Sequence, residues 1–272
     1  MGALEQYFVP GALFLASALS GLLGVGVAFL AIPILSFGDQ DLVGSIQPLA
    51  LFLNGVTALF AAFAFATNGL VDWKRALRLA GWMTLAAPLG AVTARQITPS
   101  LLWLLFFAAA TLVIWLLFKP RRADAPIKAE YILPMSLPVA FLCGVLGVGP
   151  GFVMVPLLVG AGFSAKAASG ITSVAVVPFS FAALGMHMFA GARIDAALAV
   201  NLGSLSAAGA LAGGYLASRV AKDRPLRIIF AATIIGLCGY KGLSLTRPHV
   251  APERLAVQCA AISPPRASSG VC

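Results

Sequence analysis

"GVLGVGPGFVMVP", residues Gly144 to Pro156, decides how this chain has to be read. Four glycines and two prolines fall within an apolar run that carries no charge from residue 131 to residue 165. Such a run is long enough to cross a membrane, for which about 20 apolar residues suffice. Gly and Pro are also the poorest residues for a helix interior. Broken helices at membrane depth leave backbone N–H and C=O groups unpaired, which is tolerated only where the backbone is buried in protein or lines a cavity. The same arrangement occurs earlier in the chain as "GLLGVGVAFLAIP", Gly21 to Pro33.

An offset of 123 residues lays one stretch on the other. It pairs Gly21, Leu23, Gly24, Val25, Gly26, Phe29 and Pro33 with Gly144, Leu146, Gly147, Val148, Gly149, Phe152 and Pro156. The same offset brings Asp72 onto Asp195 and Gly90 onto Gly213, so the correspondence extends well past the motif. Two halves with Gly/Pro-interrupted segments at matching places point to a secondary transporter whose substrate site lies at the interruptions.

Composition agrees with a membrane setting. Of the 272 residues 60% are hydrophobic and 10% charged, with a mean hydropathy of +0.98, against about 25% charged in soluble domains. The net charge of +9 is held in short loops such as "DWKRALR", "KPRR" and "AKDRPLR", which is how a multispanning protein fixes its orientation; nucleic acid is not expected as a partner. "LASALSG" resembles a signal-cleavage site, but no positive region precedes it and the apolar run continues beyond, so the segment is expected to be retained. Cys143 and Cys238 lie in apolar segments and Cys259 and Cys272 in the tail. They have no metal-ligand or redox spacing, so neither a metal nor a cofactor is expected.

The fold expected is an all-α integral membrane protein with about eight hydrophobic segments, at 10–37, 44–67, 76–95, 100–118, 132–160, 166–190, 196–219 and 226–245. They group as a first repeat over residues 1–118, a cytoplasmic linker over 119–131, a second repeat over 132–245 and a disordered tail over 246–272. If all eight segments cross, the halves are parallel; if the Gly/Pro segments are re-entrant, the halves are inverted. Loop charges near the spans favour inversion.

The candidate site follows from helix electrostatics. A helix N-terminus presents unpaired N–H groups and about half a positive charge, which suits an anion. Gly24, Gly26, Gly147, Gly149 and Gly151 would let backbone approach it, with Pro33 and Pro156 expected as the helix breaks. Gln47, Asn54, Thr172, Ser173 and Asn201 are neutral groups within the spans that can bond an oxyanion without a buried cation. His187 is the intramembrane group able to titrate near neutral pH and so the candidate for proton coupling. Phe29, Phe52, Phe152, Phe179, Phe181 and Trp82 are candidates to line an apolar pocket for an aryl group. No Ser/His/Asp set, paired intramembrane carboxylates or HExxH is present, and an enzyme is not expected.

The two copies of "GxxGVGxxFxxxP", with the "GxxD" loops and the later small-residue segment, resemble the TauE/SafE family of sulfite exporters and toluene-sulfonate uptake permeases. The resemblance covers about residues 10 to 245. It implies a permease of the bacterial inner membrane moving sulfur oxyanions or organosulfonates, sulfite and 4-toluenesulfonate being equal candidates. An anion channel is the alternative, and small-residue faces would allow a homo-oligomer. By the same resemblance Gly24, Gly26, Gly147, Gly149, Pro33 and Pro156 belong to the site architecture. Val27 and Ala28 depart from the family's run of glycines, which implies a second half that approaches substrate more closely than the first.

Overall fold

A computed structural model describes residues 3–36, 41–118 and 131–220, with residues 232, 235, 236 and 239 beyond them. The linker at 119–130, nearly all of the eighth expected segment and the tail lie outside the described residues. The chain divides into a unit Met1–Cys238, which holds the helices below, and a unit Gly239–Cys272. Among the described residues the fold is all-helical. Its helices are α1 (Ala3–Leu23), α2 (Ala28–Leu35), α3 (Gln47–Thr67), α4 (Trp73–Ala94), α5 (Pro99–Phe118), α6 (Ile132–Leu146), α7 (Gly151–Gly160), α8 (Ala165–Phe189) and α9 (Ala196–Val220). A single π-turn, Leu42–Ile46, leads into α3.

Local chemistry sets several of these boundaries. Asp72 accepts from the Arg75 amide at 3.1 Å and so caps α4, while Asp195 accepts from the Ala197 amide at 2.8 Å and the Leu198 amide at 3.2 Å at the start of α9. These are the two aspartates that the 123-residue offset pairs, and each satisfies first-turn donors that a helix cannot pair for itself. Their repetition in the sequence is therefore explained by capping. Ser164 caps α8 through the Ala167 amide, and Pro48 stands in the first turn of α3, where its missing N–H costs nothing.

The two Gly/Pro segments are each split in two. Leu23 and Leu146 end the first pieces, and Ala28 and Gly151 begin the second pieces, both pairs standing 123 residues apart. The reversal is made by Gly24 and Gly147, whose φ values of +66° and +68° lie in the left-handed region that L-residues with a Cβ avoid. Pro33 and Pro156, expected as the breaks, lie inside α2 and α7 instead. Each is the sixth residue of its short helix, past the break and not at it.

Packing pairs the first helix of each half with the fourth of the other: α1 lies along α9, and α6 along α4. Small residues make both seams. A Cβ on Gly213 would overlap the Ala18 carbonyl, and one on Gly90 the Phe141 carbonyl, partners that are again 123 residues apart. Backbones approach this closely only where side chains are absent. Helices α3 and α8 cross the centre in opposite directions. Gly170, near the start of α8, lies against Leu70 and Val71 after α3, while the Arg193 amide, past the end of α8, donates to the Gly44 carbonyl ahead of α3 at 3.2 Å.

Among the described residues three helical stretches, Leu42–Thr67, Ala165–Phe189 and Ala196–Arg219, are long and apolar enough to cross a membrane. Shorter apolar helices include Phe8–Leu23, Ile132–Leu146 and Gly151–Gly160, the pieces made by the breaks. On the outside α4 exposes Trp73, Leu77, Leu85 and Leu89, and α5 exposes Leu104 and Trp115. Apolar side chains on an outer face suit contact with lipid chains.

Candidate functional site: two helix breaks around Asn54

The two breaks meet in the middle of the bundle. A Cβ on Gly151 would overlap the Val25 carbonyl, so the second break rests directly on the backbone of the first. Phe29 and Phe152, each one residue into its short helix, meet with ring centroids 4.8 Å apart; Phe29 also stacks on Phe106 at 4.8 Å. Val25, Val27, Ala28 and Val148 are buried with them. Gly151, expected to open backbone to a ligand, is thus a glycine because Val25 fills the space its side chain would need.

Four half-helix ends converge here, and each has its own treatment. At the C-terminus of α1 the Leu23 carbonyl accepts from the Ser169 hydroxyl at 2.7 Å. At the C-terminus of α6 the Val145 carbonyl accepts from Gln47 Nε2 at 3.2 Å. Both carbonyls belong to the last turn, which has no intrahelical donor. Gln47 and Ser169 stand 122 residues apart, one fewer than the general offset. The π-turn ahead of α3 accounts for the difference, because it winds one more residue into a turn than an α-helix does.

At the N-terminus of α2 the Ala28 amide donates to Asn54 Oδ1 at 3.0 Å, while Asn54 Nδ2 donates to the Ser180 hydroxyl of α8 at 2.8 Å. Asn54 is fully buried. A Cβ on either Gly26 or Gly149 would run into its carboxamide, so one side chain touches both breaks. The N-terminus of α7 differs in its residues: its N-cap is Pro150, where α2 has Val27. Val176 and Val177, the α8 residues at the positions matching Asn54, carry no polar group.

Several neutral groups are buried without a hydrogen-bond partner among the described residues: Gln47 Oε1, Thr172 Oγ1 and Ser173 Oγ. Gln47 is 1% exposed and its side chain lies against Gly147, where a Cβ would stand 2.5 Å from Gln47 Cγ. Thr172 and Ser173 lie on α8 one turn beyond Ser169. A buried polar atom without a partner is costly. The structure therefore brings together Gly24, Gly26, Gln47, Asn54, Gly147, Gly149 and Gly151. Asn201 it leaves on the exposed face of α9.

His187 is 1% exposed at the far end of α8, and neither ring nitrogen reaches hydrogen-bond geometry. Its surroundings are the Val43 backbone of the π-turn and the guanidinium of Arg95, which donates to the Ala190 carbonyl. This lies at the end of α8 away from Ser169, so proton chemistry at His187 would be separate from the breaks. Of the aromatic candidates Phe29, Phe152 and Phe179 are buried, while Trp82 is 44% exposed on α4 and cannot line an internal pocket. Ser169 and Ser180 are not legible as site residues in the sequence, because an isolated Ser in an apolar helix has no local signature; only the spacing of Ser169 from Gln47 hints at a shared role.

Comparison with known proteins agrees with this architecture. A probable membrane transporter protein of Methanocaldococcus jannaschii is 28% identical over 178 residues, covering 61% of this chain and 66% of that relative. The chain thus spans about two thirds of the relative's length. No solved structure matches significantly. The description "Sulfite exporter TauE/SafE" is matched over residues 9–240, which takes in both breaks and every helix between them. The chain therefore belongs to the TauE/SafE family of multi-pass membrane transporters.

Proposed function

We propose that this chain is a secondary transporter of a small sulfur-containing anion, sulfite or an organosulfonate, bound at the broken helices and moved by alternating access. The observation that carries the reading is the convergence of both breaks on Asn54 in a fully buried centre. Two helix N-termini there supply N–H groups and partial positive charge where no Lys or Arg has to be buried. The anionic class comes from this electrostatics, and the sulfur comes from the family.

The opposed directions of α3 and α8 support reading the halves as inverted repeats, with the broken segments re-entrant between them. Inverted halves sharing one central site are the arrangement in which rocking of one half on the other exposes the site to each side in turn. Residues 1–118 and 132–245 are those halves, and the bacterial inner membrane is the proposed setting. His187 is the proposed proton-coupling group, because a buried imidazole without hydrogen bonds can take up a proton and a partner together.

Two measurements test the reading. Purified protein is heated with sulfite, sulfate, thiosulfate, taurine, sulfoacetate and 4-toluenesulfonate, since a ligand of the folded state raises its apparent stability. Flux of the stabilising anion is then followed in proteoliposomes. Saturable flux driven by the substrate gradient is expected; flux that never saturates and follows voltage alone would make the protein an anion channel.

A further inference from the structure

Asn54 holds the α2 N-terminus closed with a neutral amide oxygen, although the amide it caps is the donor best placed for an anion. This inference rests on the reading above. Ala28 N donates to Oδ1 at 3.0 Å, Nδ2 donates to Ser180 of α8 at 2.8 Å, and the glycines of both breaks leave space only for this carboxamide. At the matching end of α7 the N-cap residue is Pro150, and the α8 positions that match Asn54 are Val176 and Val177, which carry no acceptor, so Asn54 has no counterpart in the second half. Against the second break Gln47 Oε1 is buried and has no hydrogen-bond partner among the described residues, so a polar acceptor is left unsatisfied near the centre.

We propose that Asn54 is a positioning residue that stands in for an oxygen of the substrate, and that the anion displaces it. An N–H bonded to a charged oxygen is roughly twice as strong as one bonded to a neutral oxygen. A sulfonate or sulfite oxygen therefore replaces Oδ1 at Ala28, and Asn54 turns away from the α2 N-terminus. The turn also breaks the bond from Nδ2 to Ser180. Ser180 belongs to the second half and Asn54 to the first, so occupation of the first break loosens a bond between α3 and α8. Binding is thereby coupled to the contact on which movement of the halves depends, because a ligand shifts a conformational equilibrium only through contacts that differ between its states. The sequence asymmetry has the same explanation: with valine at the matching positions of α8, one break carries the latch and the other has no counterpart to it.

The test uses the full chain in detergent and compares wild type with Asn54→Ala and Ser180→Ala. Sodium sulfite and sodium 4-toluenesulfonate are titrated at fixed ionic strength, and affinity is read from the rise in melting temperature. Loss of a competing neutral hydrogen bond is expected to tighten anion binding in Asn54→Ala by about three- to ten-fold. The variant should melt lower than wild type in the absence of anion. Ser180→Ala, which frees only Nδ2, should shift affinity in the same direction by a smaller factor, and it decides the matter if Asn54→Ala does not fold. A merely structural asparagine would lower the melting temperature and leave affinity unchanged, and a direct ligand would lose affinity on truncation; either result overturns the inference while leaving the transporter reading standing. Binding seen in a variant but not in wild type supports the latch. Binding in neither overturns both.

Discussion

Substituting Gly147 by Ala should cost more than its backbone conformation alone explains, and Gly69 provides the measure. The two glycines share a φ of +68°, yet a Cβ on Gly69 meets nothing within 4 Å while one on Gly147 would stand 2.5 Å from Cγ of buried Gln47. The left-handed conformation costs an L-residue about 1–2 kcal/mol, and this is the whole expected cost of Gly69→Ala. Overpacking adds about 1–3 kcal/mol at Gly147. The loss of chain freedom in the unfolded state is the same for both and cancels in the comparison. At about 2–4 °C per kcal/mol for a chain of this size, Gly147→Ala should melt roughly 2–12 °C below Gly69→Ala. Fluorescence-detected melting in one detergent measures it, with Gln47→Ala added as a second substitution. Because Gln47 is the group overlapped, the double variant should lose less than the sum of the single losses. Equal melting temperatures for Gly147→Ala and Gly69→Ala would refute the packing of Gln47 against the second break.

Other expectations follow from single contacts. Ser169→Ala removes the donor to the Leu23 carbonyl and should cost about 1 kcal/mol, a fall of roughly 2–4 °C in the same assay. Gly90→Leu and Gly213→Leu place side chains into the backbones of α6 and α1; both should fail to give a monodisperse protein, whereas Gly81→Leu, with nothing within 4 Å of its Cβ, should purify as wild type. His187→Gln should flatten the dependence of flux on pH while anion-induced stabilisation is retained, because the side chain lies at the far end of α8 from Ser169. An unchanged pH profile would remove His187 from the coupling.

Sequence alone determined the features that depend on composition or on one residue's own backbone. Charge-free apolar runs had to be buried in lipid or protein, which sets the class of the molecule whatever its topology. That each Gly/Pro stretch is interrupted was legible from its residue types, but the break falls at Gly24 and Gly147, whose left-handed backbone favours glycine, and not at Pro33 and Pro156. The repetition of the stretches at a fixed offset marked the centre of the molecule before any contact was known. Asp72 and Asp195 were equally visible but carry no such meaning: capping satisfies amides two or three residues away, so it recurs wherever the same helix start recurs.

Only the tertiary structure decided which polar groups share the centre. Asn54 and Asn201 are the same residue type in comparable apolar helices, yet one is fully buried between the breaks and the other faces outward. Gly151 reads in sequence as room for a ligand and is in fact room for Val25, a residue 126 positions earlier. Such outcomes depend on how helices cross and on the register between them. A side chain's partner across a helix interface is set by the packing of many residues together, and no single stretch of sequence contains it.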